Sequence, residues 1–408
     1  VEEQLKLSER VELMAMLFLH GMALAAWFVP MGTVLQGAGL GNWTPYAFAA
    51  SAIAALLSPL FFGAMADRSV PPIKVLRWVS AGAGILSIVT AYALAAKADS
   101  AVIWSLIQLQ ALLSVPTNSL SGSIVLGRLA NSHSQFGAIR AMGTAGWMAG
   151  CWIVSGLRLD ASPQTFLLSG LLWFVLAAYT LLLPPGVVQG SSPIRLTLRQ
   201  RFGLDALGLL KEHDHRVIFI TATLVAIPFA AFYPYTPSHM RDLGMERTSA
   251  WMSIGQAVEV VIMFLIGAAM VNWKLKRVIL IGLVSGFLRY VFYALDAPVP
   301  LLIGVALHGF AYTFTYISTQ IYLARRIAPE WRTRAQALLS LLVGGVGCLI
   351  GYLVTGSWLA WCTLVTGVQW QQYWTGLNFL VLGVLVYFTV SYHGYRGGSG
   401  SGENSNQS

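Results

Sequence analysis

The chain has 408 residues, of which 56% are hydrophobic and only 10% charged, and its formal net charge is +9. Soluble domains average roughly 25% charged residues, so this supply excludes a water-facing globular surface and assigns the chain to a lipid bilayer. The cations fall in short links between apolar runs rather than in a basic patch, which excludes nucleic acid as the partner.

The apolar runs are about 20 residues long, the length a helix needs to cross a bilayer; a transmembrane barrel would show shorter alternating segments. In chain order they occupy about 13–36, 44–66, 73–96, 101–127, 137–157, 164–184, 217–238, 249–271, 277–295, 299–323, 335–356 and 373–393. The expected fold is therefore an all-α integral membrane protein with twelve spans. One long polar connection divides it into an N-terminal six-helix bundle (1–184), a cytoplasmic central loop (185–215) and a C-terminal six-helix bundle (216–396). Residues 397–408, rich in Gly and Ser, read as a flexible tail, and the polar opening before the first run shows no cleavable signal peptide. Cys151, Cys348 and Cys362 have neither metal-ligand nor disulfide-framework spacing.

Charge sets the orientation. Arg68, Lys74, Arg77, Arg128, Arg195, Arg199, Arg201, Lys211, Lys274, Lys276, Arg277, Arg325, Arg326, Arg332 and Arg334 fall in alternate links, while the opposite set holds only Lys97, Arg158, Arg241 and Arg247. Both termini and the central loop are accordingly expected in the cytoplasm, for a bacterial chain at the inner membrane. Phe202–Lys211 reads as a short amphipathic helix on that surface. The outward link, roughly 357–372, carries Trp358, Trp361 and Trp370, suited to the headgroup layer.

Glu259 stands near the middle of the eighth run, in Trp251-Met-Ser-Ile-Gly-Gln-Ala-Val-Glu-Val-Val-Ile-Met-Phe-Leu-Ile-Gly267. An acid inside a span is costly and marks a functional site by default; the alternative is a structural Glu bonded to a neighbouring helix. Arg140 is a second isolated charge, suited to bidentate contact with a solute or to pairing with Glu259. His308, Tyr312 and Tyr316 share one face of the tenth run, with helix packing as the competing role. His20 is a further candidate for the cavity wall, and Arg289 reads as structural, bonding carbonyls or reaching the outer interface. Pro116 and Asn118 predict a bent fourth helix, and glycines 344, 345, 347 and 351 close packing of the eleventh.

Gly63-Ala-Met-Ala-Asp-Arg68, followed by Lys74 and Arg77, resembles the loop signature of the major facilitator superfamily, and Gly267-Ala-Ala-Met-Val-Asn-Trp273 echoes it after the eighth run. Asp67 and Arg68 would then form a cytoplasmic latch that breaks as two halves rock. Ile139-Arg-Ala-Met-Gly-Thr-Ala-Gly-Trp147, Gly203-Leu-Asp-Ala-Leu207 and Ser253-Ile-Gly-Gln-Ala-Val-Glu259 narrow the resemblance to the nucleoside:proton symporter family; Ala26-Trp-Phe-Val-Pro30 and Arg334-Ala-Gln-Ala-Leu338 also fit it. The resemblance implies solute contact by Arg140, Thr144, Trp147 and Gln256, with Glu259 as the proton-coupling group. The chain departs from the family where a polar amide pair is expected in the seventh span, since Ala230 and Tyr233 stand there. In the tenth span His308 and Tyr312 replace a Tyr and a Phe.

The expected activity is proton symport of a nucleoside into the cell by alternating access, by a monomer without cofactor or metal. A sugar or another small polar metabolite is the alternative solute. Proton-driven drug efflux and a non-transporting receptor of the same fold stand further off. No Walker loop, catalytic triad or zinc spacing points to an enzyme.

Overall fold

The computed structural model describes residues 6–66, 70–129, 132–184, 197–270 and 273–394. The long helical segments are α1 (Leu7–Gly37), α2 (Thr44–Ala66), α3 (Pro72–Ala95), α4 (Ser100–Arg128), α5 (Ser132–Gly156), α6 (Gln164–Tyr179), α7 (His213–Asp242), α8 (Thr248–Met270), α9 (Leu275–Ala294), α10 (Pro298–Arg326), α11 (Pro329–Trp361) and α12 (Trp370–Ser391). Among the described residues, eight of them (α1, α3, α4, α7, α9, α10, α11 and α12) are long and apolar enough to cross a membrane. Of the rest, α2, α5 and α8 have 23, 25 and 23 residues and α6 has 16. Each predicted apolar run falls on one of these helices, as it must where backbone groups have no water to bond.

The order of helix packing repeats. In the first half α1 packs on α5 and α6, α3 on α4 and α6, and α2 on α4. In the second half α7 packs on α11 and α12, α9 on α10 and α12, and α8 on α10: the same pairs, six helices on. Between the halves, α5 meets α8, α2 meets α11, and the last turns of α1 meet those of α7. Four helices in equivalent places are interrupted. α1 breaks at Val29–Pro30, α4 at Val115–Pro116 and α7 at Ala230–Ala231 just after Pro228, while α10 opens into a π-turn at Thr313–Ile317. Proline removes an N–H and favours the breaks in α1, α4 and α7, though not the π-turn of α10, and the freed groups need partners. At Pro116 the partner is the Thr117 hydroxyl, which donates to the Ser114 carbonyl.

Three expectations are corrected. The central stretch holds a 3₁₀ rather than an α-helix: after the turn Leu198–Arg201 it runs Leu204–Lys211. It is tied to α11 by Asp205 Oδ2 and Arg334 Nη1 at 2.9 Å, with Ala206 buried. Gly203 sits at φ +65° against the backbone of Arg334 and Leu338, a conformation and an approach that suit glycine. The outward link holds a two-residue hairpin, Thr363–Leu364 with Gly367–Val368, so the chain is not purely helical. Of its three tryptophans only Trp361 is exposed; Trp370 is buried, because its Nε1 donates to Asp242 at 2.8 Å and its ring stacks on His239.

The closest helix pair is α1 with α5. A Cβ on Gly146 would collide with the Phe18 carbonyl, and one on Gly21 with the Gly143 carbonyl. Small residues allow this approach, and here they press α5 onto α1 so that its polar stripe faces inward. Gly146→Val should push the helices apart and cost about 1–3 kcal/mol, as overpacking does. The measurement is the thermal midpoint in detergent, where an unchanged value would contradict this account of the contact.

Candidate functional site

Between the two halves lies a cavity of about 480 Å³, within the size range of small-molecule sites. Its wall includes Arg140, Thr144 and Trp147 from α5, Tyr233 from α7, Gln256 and Glu259 from α8, and His308 and Tyr312 from α10. Every solute-contact and proton-coupling residue expected from the sequence is thus in one place. Asp67 and Arg68, expected as a latch, lie outside the described residues. His20 and Tyr316 also line the cavity.

Local packing explains the convergence. On α5 the residues at 140, 144 and 147 form one helical stripe, and the glycines between them press against α1. On α10, a Cβ at Gly309 would lie 2.6 Å from the Glu259 backbone nitrogen and 2.7 Å from the Gly255 carbonyl. That approach seats α8 on α10 and sets Gln256 and Glu259 beside His308 and Tyr312. A π-turn at Leu341–Gly347 in α11 adds Val343 and Gly344 to the wall. Gly347 and Gly351 let α11 close on α7, where Cβ atoms would meet the carbonyls of Thr223 and Ile227 at 2.9 and 2.7 Å.

Polar groups in the wall are sparse and directed. Gln256 Nε2 donates to the Tyr233 hydroxyl at 3.0 Å, while Gln256 Oε1 and Trp147 Nε1 have no partner. Glu259 is half-buried, has no hydrogen-bond or ion-pair partner among the described residues, and its oxygens are not sealed from the cavity. It makes no ion pair with Arg140, whose exposed side chain also lines the cavity. His20 Nε2 meets the Thr117 hydroxyl at 2.7 Å, which joins α1 to the break in α4.

Aromatic rings floor the cavity. Phe28 from α1, Trp147 from α5 and Tyr233 from α7 pack with centroids 5.3–6.1 Å apart, joining the two halves. Beyond this floor the halves are bonded together. Asp160, buried after α5, accepts from the Ser249 backbone nitrogen of α8 at 2.7 Å and from Ser155 Oγ at 2.9 Å; Ser155 Oγ in turn accepts from Ala250 N. Arg241 donates to the Thr33 carbonyl at 3.3 Å and Trp152 to Ser253 Oγ at 2.9 Å. With the Thr248 hydroxyl, 3.5 Å from Asp160, these contacts join 6–184 to 213–394 at this end. Asp160 thus caps a helix of the opposite half, satisfying first-turn donors that have no intrahelical partner. In sequence it is one acid in a short link, and nothing marks its target.

Arg289 neither bonds carbonyls nor reaches an interface, contrary to expectation. It is fully buried, and its guanidinium contacts His308 Nδ1 at 2.9 Å and the Tyr290 hydroxyl at 2.8 Å. One group of ligand-type side chains lies away from the cavity, His213, Asp214 and His393, with donor atoms within 4.8 Å of one another.

A family model described as nucleoside H+ symporter matches residues 7–395. The chain belongs to the nucleoside H+ symporter family. It is a multi-pass membrane transporter whose activity is proton-coupled nucleoside transport, and the family is one of permeases rather than enzymes. It is 29% identical to YegT of Escherichia coli (strain K12) over 402 residues, 92% of each chain. To the nucleoside permease NupG of the same organism it is 24% identical over 392 residues, 90% of this chain and 91% of the relative. The crystal structure of nucleoside transporter NupG superposes with a TM-score of 0.81 at 22% identity, covering 95% of this chain and all (100%) of the other. The symporter's fold is therefore of the major facilitator type. The family match favours a nucleoside over the sugar left open by the sequence.

The Gln256–Tyr233 bond orients the amide toward the cavity. Tyr233→Phe removes one hydrogen bond of about 0.5–1.5 kcal/mol, so KM for the transported nucleoside should rise roughly two- to tenfold. Initial-rate uptake in proteoliposomes measures it; an unchanged KM would remove Tyr233 from the recognition set.

Proposed function

We propose that the symporter carries nucleosides inward by alternating access of two six-helix bundles, with twelve spans and both termini in the cytoplasm. The supporting observations are the repeated packing order and the four further long helices besides the eight apolar enough to span. Bundle limits of 1–184 and 216–396, joined by the cytoplasmic segment between them, follow from that repeat. The cation-rich links support the orientation, since positive residues are retained on the cytoplasmic side. The cavity then opens inward, and the bonds of Asp160 and Arg241 close the outer side. A monomer in a bacterial inner membrane is sufficient for this cycle.

In the proposed cycle Glu259 carries the proton. The observation that bears the reading is its position: a carboxyl without a protein partner, facing the cavity between halves that must separate. Protonated, it loses the charge that makes transit through a closed, dry state costly. Arg140, Thr144, Trp147, Gln256, His308, Tyr312 and Tyr233 form the solute wall, with flat rings suited to a base and polar atoms to its edge and the ribose. Asp67 and Arg68 act on the cytoplasmic side as the gating latch.

Glu259→Gln mimics the protonated acid permanently. It should abolish uptake driven by an imposed proton gradient while leaving nucleoside counterflow within a fewfold of the original rate. Proteoliposome assays separate the two, and full gradient-driven accumulation by the variant would defeat the assignment.

Asp160→Ala removes a cap worth about 1 kcal/mol from the outer seal. Spin labels attached at Asn42→Cys and Glu246→Cys, both exposed positions near that end, should then report a larger share of long distances. An unaltered distance distribution would show that Asp160 does not hold the outer side closed.

A further inference from the structure

The Arg289 guanidinium is a full positive charge inside α9 with no carboxylate within 4.0 Å among the described residues. Its surroundings are aromatic: the guanidinium carbon lies 4.2 Å from the Phe229 ring centroid and 4.5 Å from that of Tyr290. Cation–π contacts of this kind hold a desolvated Arg without neutralising it. Tyr290 accepts one guanidinium N–H and donates its own O–H to the Pro228 carbonyl at the break in α7. The other contact is to His308 Nδ1, at 2.9 Å.

The polarity of that contact is fixed by chemistry. A guanidinium has donors only, so Nδ1 must accept, and a neutral imidazole that accepts at Nδ1 carries its proton on Nε2. His308 has a stacked wall on one face, the Phe232 ring at 3.8 Å and 5°, so the ring cannot swing freely. Nε2 has no partner among the described residues and is not among the sealed polar atoms, while the residue lines the cavity.

We propose that Arg289 is a positioning residue that holds His308 as a neutral imidazole with its Nε2–H turned to the solute, making His308 a fixed hydrogen-bond donor that selects an acceptor atom on the nucleoside. Forming the imidazolium would put an N–H on Nδ1 against the guanidinium donors, with two cations in contact and no acid between them. The groups around His308 do not reverse this. They are Tyr233 from α7, Glu259 from α8, Arg289, Tyr290 and Tyr293 from α9, and Tyr312 on its own helix; of these only Glu259 is an acid, and it makes no contact with the imidazole. His308 is thereby removed from proton coupling, and the site keeps separate groups for solute reading and for proton carriage.

The test has two arms. In the first, protein labelled with ¹⁵N-histidine is reconstituted in nanodiscs and the His308 signal is assigned by its loss in His308→Gln. The expected signature is a protonated Nε2 and a bare Nδ1, unchanged between about pH 5 and 8, the window in which free histidine titrates. Arg289→Met should convert this signal into a titrating imidazole. A His308 in the unaltered protein that titrates in that window, or that carries its proton on Nδ1, overturns the proposal. In the second arm, Arg289→Met should raise KM for nucleoside about tenfold with a much smaller change in Vmax, as expected for one misdirected hydrogen bond. Arg289→Lys, which keeps a cationic donor, should recover part of that loss. An unchanged KM in Arg289→Met overturns the proposal. This arm rests on nucleoside transport, whereas the ¹⁵N signature does not, so failure of one reading is distinguishable from failure of the other.

Discussion

A carboxyl surrounded by apolar helices must reach water, a partner or a proton, and Glu259 has no hydrogen-bond or ion-pair partner among the described residues. That constraint organises the molecule. It requires a wet cavity at mid-height, hence two halves that do not pack flat against each other. It also requires that the halves meet firmly elsewhere, which they do through the Phe28–Trp147–Tyr233 floor and the bonds around Asp160. An acid that alternates between two protonation states, set where two bodies separate, is the minimal device for tying a proton to a moving solute.

The second buried charge is treated in the opposite way. Arg289 is enclosed by rings and by two fixed partners, so nothing in its surroundings rewards a change of state. One charge faces the cavity and the other is held by fixed partners, and both lie near one imidazole. In the same region Tyr233 bonds Gln256, and Arg289 contacts His308. The side chains of the wall thus first bond each other and then present what remains to the cavity.

Glycine supplies the geometry that lets polar residues meet. Gly21 and Gly146 bring α5 onto α1, and Gly309 brings α10 onto α8, without which the stripes at 140–147 and 256–259 would not face a common space. The interruptions in α4, α7 and α10 border the cavity through Asn118, Ala230 and Thr315, where a bent helix can change its angle without losing its whole ladder of bonds.

Much of this was legible in the chain because the bilayer makes sequence explicit. Apolar length gave the helices, since a helix in lipid must satisfy its own backbone, and an isolated Glu or Arg within such a run announces a site because its burial is so costly. The motifs around Arg140 and Glu259 pointed to residues that do share one cavity. What the tertiary structure alone decided are the relations between residues far apart in sequence: Asp160 capping α8, Arg289 reaching His308, Tyr233 bonding Gln256, and the central 3₁₀ segment tied to α11. Periodicity records which way a side chain points from its own helix, but not which helix stands opposite. Partner choice in lipid is made by close packing of small residues, and that is written in no single segment.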